Sequence, residues 1–121
     1  KVLDAMAETG VPRIHFGVTT GELLPQIAAT GADVVGVDWR VPLDAARRRV
    51  GPGKALQGNL DPTVAFAGAD IACDAAREVL RLNDGHPGHV FNLGHGVMPA
   101  TDPDVLTEVV KVVHQEGTVR S

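Results

Sequence analysis

Four short β-rich runs, each followed by a helical pattern, constrain this chain more than any other feature. The runs are PRIHFGV (12–18), DVVGVDW (33–39), KALQGNL (54–60) and HVFNL (89–93). Helical segments follow at TGELLPQIAATG (20–31), PLDAARRRVG (42–51), ADIACDAAREVLRLNDG (69–85) and TDPDVLTEVVKVVHQEG (101–117). Strands that alternate with helices pair in parallel, because each return to the same end of a sheet needs a crossover. That places the chain in the α/β class. The last helix has the clearest pattern: Asp102 suits an N-cap, Pro103 the first turn, and Leu106, Val109, Val110 and Val113 share one face. Ala72, Ala75, Ala76 and Val79 give the third helix the same spacing. Pro25 weakens the first helix unless it lies in the opening turn.

Two parallel architectures remain, a doubly wound sheet and a (β/α)₈ barrel. No G-x-G-x-x-G follows the first strand, which lowers the dinucleotide-binding version of the former. Four βα units in 121 residues match half of a barrel, since complete ones need about 200 residues or more. Half a barrel has two open strand edges that further chain or another subunit must pair. The opening KVLDAMAETG reads as the last turns of a helix ended by Gly10, and the chain does not begin with methionine. The expectation is therefore a single partial domain, 1–121, the tail end of something longer.

Composition excludes several functions. Hydrophobic residues at 44% and charged residues at 21% describe a folded chain, not a disordered one. A formal net charge of −4 argues against nucleic acid or an anionic membrane as partner. With no tyrosine, one tryptophan and three phenylalanines, base-stacking platforms are not available. The single cysteine, Cys73, rules out an internal disulfide and fits a reducing compartment. No apolar run reaches the roughly 18 residues that cross a bilayer, and no signal peptide is visible.

In either architecture functional groups gather at the carboxyl ends of strands. There the sequence offers His15, Phe16 and Gly17; Asp38, Trp39 and Arg40; Gln57, Asn59 and Asp61; and Asn92 and His95. Most have a structural reading. Asp38 is expected to cap the helix near Pro42 or to pair with Arg40, and Asp61 before Pro62 to cap a helix. Asn59 ties one loop to the next through its side chain, and His15 is a satisfied core or rim histidine. His95 differs. Gly94 and Gly96 remove Cβ atoms on both sides of it, so a ligand can come close to the imidazole. His86, His89 and His95 do not make a metal site, because about five residues of strand at some 3.3 Å each separate the ends on which they lie. Arg47, Arg48 and Arg49, consecutive on a helix, read as a solvated face.

Taken together, GVDWRVPLDAARRRVG, LQGNLDP and FNLGHGVMPATDPDVLTEVVKVVH resemble the uroporphyrinogen decarboxylase family, from about Pro12 to His114. GNLDP and NLGHG are specific as a pair. The resemblance implies the carboxy-terminal half of a distorted (β/α)₈ barrel. It also implies a cytoplasmic homodimer without cofactor or metal, which converts uroporphyrinogen III to coproporphyrinogen III. His95 matches the family histidine that contacts substrate in the cleft, and is assigned hydrogen bonding to a substrate carboxylate; Gly94 and Gly96 give the macrocycle room. Asn59, Asp61 and Asp38 support the strand ends. The family's essential aspartate, its carboxylate-binding arginines and its tyrosine lie in the amino-terminal half, so residues 1–121 alone are expected to be inactive.

Two rivals stand beside this reading. Corrinoid-dependent methyltransferases of the same superfamily resemble the pattern but place H-x-C after one strand and cysteine near GHG. Here those positions read His15-Phe16-Gly17 and His95, and thiolate ligands for zinc are lacking. The other rival is a non-catalytic fragment or assembly partner.

Overall fold

The computed structural model describes residues 1–120. Its strands are β1 (Ile14–Phe16), β2 (Val34–Gly36), β3 (Ala55–Gln57) and β4 (His89–Val90), all parallel and hydrogen-bonded in the order β1-β2-β3-β4. Each strand is shorter than the run that foretold it, because the ladder stops where the chain leaves for its crossover. One bridge, Leu60 to Leu93, continues the β3–β4 pairing past the strand ends. The helices are α1 (Val2–Ala5), α2 (Leu24–Ala28), α3 (Leu43–Val50), α4 (Pro62–Phe66), α5 (Ala69–Asn83) and α6 (Pro103–Glu116). Spatial order follows chain order without the reversal that defines a doubly wound sheet. The four βα units are the wall of a partial α/β barrel.

Local chemistry sets the element ends. Gly10, at φ 69°, closes the turns after α1 in the left-handed conformation expected of it. Pro25 lies in the first turn of α2, where a missing N–H costs nothing, and a 3₁₀ turn at Gly21–Leu23 precedes it. Asp61 and Asp102 both cap as read: their carboxylates accept the N–H of Thr63 and Asp104, each at 2.9 Å. The helix that Asp61 starts, α4, is an extra short element ahead of α5.

Pairing across the sheet sorts its two faces. His15, Val35, Leu56 and His89 lie in one row and pack toward the helices. Leu24 and Ile27 of α2, Leu43 and Ala46 of α3, Ala72, Ala76 and Val79 of α5, and Val105 and Val109 of α6 complete the core around Val35, Val37, Leu56 and Leu60. Alanine on α5 removes bulk and lets that helix come close to its neighbours. The opposite row is Phe16, Gly36, Gln57 and Val90. Here Phe16 is 41% exposed and Val90 44%, with Ile14 beside them at 47%. One face of the sheet is finished and the other, which would line a closed barrel, is open.

Two expectations need correction. The buried stripe of α6 is Val105, Val109 and Val112, whereas Val110 is exposed. Apolar pairs at 105–106, 109–110 and 112–113 support two overlapping stripes, and packing on α5 selects between them. The arginine run is not uniformly solvated either. Arg48 pairs with Asp44 at 2.8 Å and Arg49 with Glu22 at 3.3 Å. Arg47 instead turns inward and donates to Asn83 Oδ1 at 2.8 Å.

Leu56 is fully buried between sheet and helices, so Leu56→Ala should destabilise the fold by about 2–5 kcal/mol through lost transfer energy and a residual cavity. Val110→Ala should change it by no more than about 0.5 kcal/mol. Urea unfolding followed by circular dichroism measures both.

Candidate functional site

Because the strands are parallel, all four deliver their carboxyl ends to one rim. At the end of β2 the chain takes an acidic side chain out of water: Asp38 is 3% exposed. Its Oδ1 accepts the backbone N–H of Arg40 at 2.9 Å and Arg40 Nη1 at 3.0 Å. Its Oδ2 accepts the Thr19 N–H at 3.0 Å and the same Nη1 at 2.9 Å. Burial by itself would raise this carboxyl. The Arg40 and Thr19 backbone donors, joined by the Arg40 guanidinium, outweigh burial and hold it below the usual carboxylate range. Of the two roles read for Asp38, pairing with Arg40 is the one the structure adopts; α3 has no side-chain cap. The carboxylate also fastens the loop after β1 to the loop after β2.

Asn59 performs the same kind of service one strand further on. It is buried, and its Nδ2 donates to the carbonyls of Asp38 at 3.0 Å and Val41 at 2.5 Å. The next link is backbone: Leu60 donates to Asn92 O at 3.0 Å, and Gly94 to Leu60 O at 2.8 Å. Four rim loops are thus joined in series, β1 to β2 through Asp38, β2 to β3 through Asn59, and β3 to β4 through Leu60. Asp61 lies beyond this chain of links, occupied with its cap.

His95 stands exposed on this rim, after β4. Its Nδ1 accepts the Gly96 N–H at 2.7 Å, which fixes the tautomer: Nε2 carries the proton of the neutral ring and points away from that bond. The clearance expected on both sides of His95 is found on the Gly96 side, where a Cβ would meet nothing. Gly94 is buried, and a Cβ there would run into the backbone and Cβ of Trp39. Its missing side chain lets the β2 and β4 loops touch, and makes no room for a ligand.

The other histidines lie apart. His15 is half-buried on the helix side, with Nδ1 3.3 Å from Thr30 Oγ1. His86 is in the turn before β4. His89 Nε2 donates to Gly58 O at 2.7 Å, and burial, reinforced by the nearby Arg47 charge, lowers its pKa despite that bond. Among the described residues no three His, Cys, Asp or Glu side chains converge as a metal site would require. One feature escaped the sequence reading. The Arg40 guanidinium lies 4.4 Å from the Trp39 ring centroid, a stacked cation that the D-W-R order permits but does not announce.

Similarity to known proteins fits this geometry. Residues 1–116 match the family model described as Uroporphyrinogen decarboxylase (URO-D). A uroporphyrinogen decarboxylase of Streptomyces coelicolor is 65% identical over 118 residues, which are 98% of this chain and 33% of the relative. One from Streptomyces griseus is 65% identical over 116 residues, 96% of this chain and 32% of the relative. One from Salinispora tropica is 60% identical over 114 residues, 94% and 31% respectively. The chain spans about a third of the length of the curated relatives it matches, less than the half that strand count suggests.

Two outcomes test the site as described. Gly94→Ala forces the β2 and β4 loops apart and should cost about 1–3 kcal/mol of stability in urea unfolding, as overpacking does. For His89 the folded pKa lies below the unfolded value of 6.5. Its contribution is therefore complete above that value and is lost as pH falls through the folded pKa. Between pH 8 and 5 the unfolding midpoint of the parent should drop more steeply than that of His89→Gln; parallel curves would remove His89 from this account.

Proposed function

The chain belongs to the uroporphyrinogen decarboxylase family, and on that premise we propose that it supplies the histidine-bearing part of the cleft in which uroporphyrinogen III is decarboxylated to coproporphyrinogen III. The observation that carries this reading is His95: an exposed imidazole on the carboxyl rim, with a fixed tautomer and open space on its Gly96 side. A donor N–H on an exposed ring suits hydrogen bonding to a substrate carboxylate. Gly96 gives the macrocycle room, while Gly94 serves by letting the Trp39 loop approach. Asp38 and Asn59 keep the rim loops in place, Asp61 caps the helix that follows β3, and none of the three is assigned a contact with substrate.

The reaction asks for positioning more than for reagents. A pyrrole ring protonated at carbon accepts the electron pair of the C–C bond that breaks as carbon dioxide leaves. A proton then adds to the exocyclic carbon, so that the acetate becomes a methyl group, and the ring carbon gives up the proton it had taken, which restores the pyrrole. The substrate is its own electron sink, so the protein has to hold a flexible polyacid and stabilise charge as it moves from carboxylate into ring. No cofactor or metal is part of the proposal. The remaining barrel strands, with the essential aspartate, the carboxylate-binding arginines and the tyrosine that the family resemblance assigns to the amino-terminal half, come from outside residues 1–121. They would cover Ile14, Phe16 and Val90, and the complete enzyme would act as a cytoplasmic homodimer.

The test is a chimera of the Streptomyces coelicolor relative whose matching third is replaced by residues 1–121. It should decarboxylate uroporphyrinogen, whereas the isolated 121-residue chain should not. His95→Ala in the chimera should lower kcat/KM about 10–100-fold, the worth of a hydrogen bond to a charged group, without loss of soluble protein. A soluble, folded but inactive chimera would refute the proposal, and unchanged turnover in His95→Ala would take His95 out of it.

A further inference from the structure

We infer that Arg40 is an anchor for one carboxylate of the substrate, an assignment that rests on the polyacid occupant proposed above. A guanidinium carries five N–H donors in a rigid plane. Nη1 is given to Asp38, at 3.0 Å to Oδ1 and 2.9 Å to Oδ2. The donors left over, on Nε and Nη2, form the side-on fork that matches the two oxygens of a carboxylate. Neither has a protein acceptor among the described residues, whose only ion pair to Arg40 is the one from Asp38. The side chain is 47% exposed, so the fork is open to a ligand.

Arginine side chains are long and lose rotamer freedom when they bind. Here that loss is taken on folding. Asp38 grips one end of the guanidinium plane, the Trp39 ring lies against its face at 4.4 Å, and Asn59 pins the loop through the carbonyls of Asp38 and Val41. Trp39 backbone is the group that Gly94 meets, so Arg40 and His95 each follow, by one residue, the two sides of the same loop contact. A polyacid resting on His95 is thereby brought to the Arg40 side of the rim. Because Asp38 neutralises the net charge of the pair, the anchor acts at hydrogen-bonding range and attracts anions little from afar.

Trp39 is the chain's only tryptophan, so its emission reports on the guanidinium stacked against it. Titration of residues 1–121 with butanetetracarboxylate, which is transparent where indole absorbs, should give a saturable change in emission. Arg40→Met keeps the apolar stem and should weaken binding about tenfold, within the range of a charge-assisted bond; Arg40→Lys keeps the charge without the fork and should fall between. Far-UV circular dichroism checks that each variant retains its helices. In the active chimera Arg40→Met should raise KM about tenfold with kcat within about twofold, a split that a merely structural role does not produce. No saturable change in the parent overturns the assignment. So does an unaltered titration in folded Arg40→Met, or in Arg40→Lys where Arg40→Met fails to fold, and the decarboxylase reading then stands. Binding that depends on Arg40 beside an inactive chimera does the opposite, and keeps the anchor while the decarboxylase reading falls.

Discussion

Parallel pairing is the constraint from which the rest follows. Each step from one strand to its neighbour must carry the chain back to the starting end, and the return path is helical. Here the four strands follow one another in space as in sequence, so all the returns pack on one face and all the carboxyl ends share one rim. The apolar residues of that helical face, Val35 and Leu56 above all, are fully buried. The rim loops inherit their position from this layer. Proximity of Asp38, Asn59 and His95 is therefore a consequence of topology, and needs no long loop to bring it about.

What the rim adds is a way of holding short loops still. Three different donors and acceptors do this in turn: a buried carboxylate, a buried amide and a backbone pair. Burying an ionised carboxylate is costly unless its lone pairs are filled. Asp38 meets that condition with two backbone N–H groups and one guanidinium. Removing any one of these partners would leave charge in a dry place. The loop geometry that presents His95 and Arg40 is stiff for the same reason.

Much of this was legible in the sequence, and the limits are physical. Alternation of strand and helix gave the class and the partial barrel, since period and turn residues are local signals. The Asp61 and Asp102 caps could be read because an acid before proline has one obvious use at a helix start. The buried stripe of α6 could not, because two registers of valine were equally apolar and only the neighbouring helix distinguishes them. Arg47 was misjudged for a similar reason: its partner, Asn83, lies 36 residues away, and nothing local points to it. The glycines around His95 looked alike in sequence, yet one faces solvent and the other a backbone, a difference that only tertiary contact creates.

That contact between Gly94 and Trp39 has a mechanical corollary. Two backbones at such range have no slack between them, so the β2 and β4 loops behave as one stiff bracket. A displacement of the segment before His95 is passed to the backbone of Trp39, and is shared between the two loops instead of being absorbed where it arises. This stretch of the rim is an anvil, and whatever yields in the loops must lie outside it.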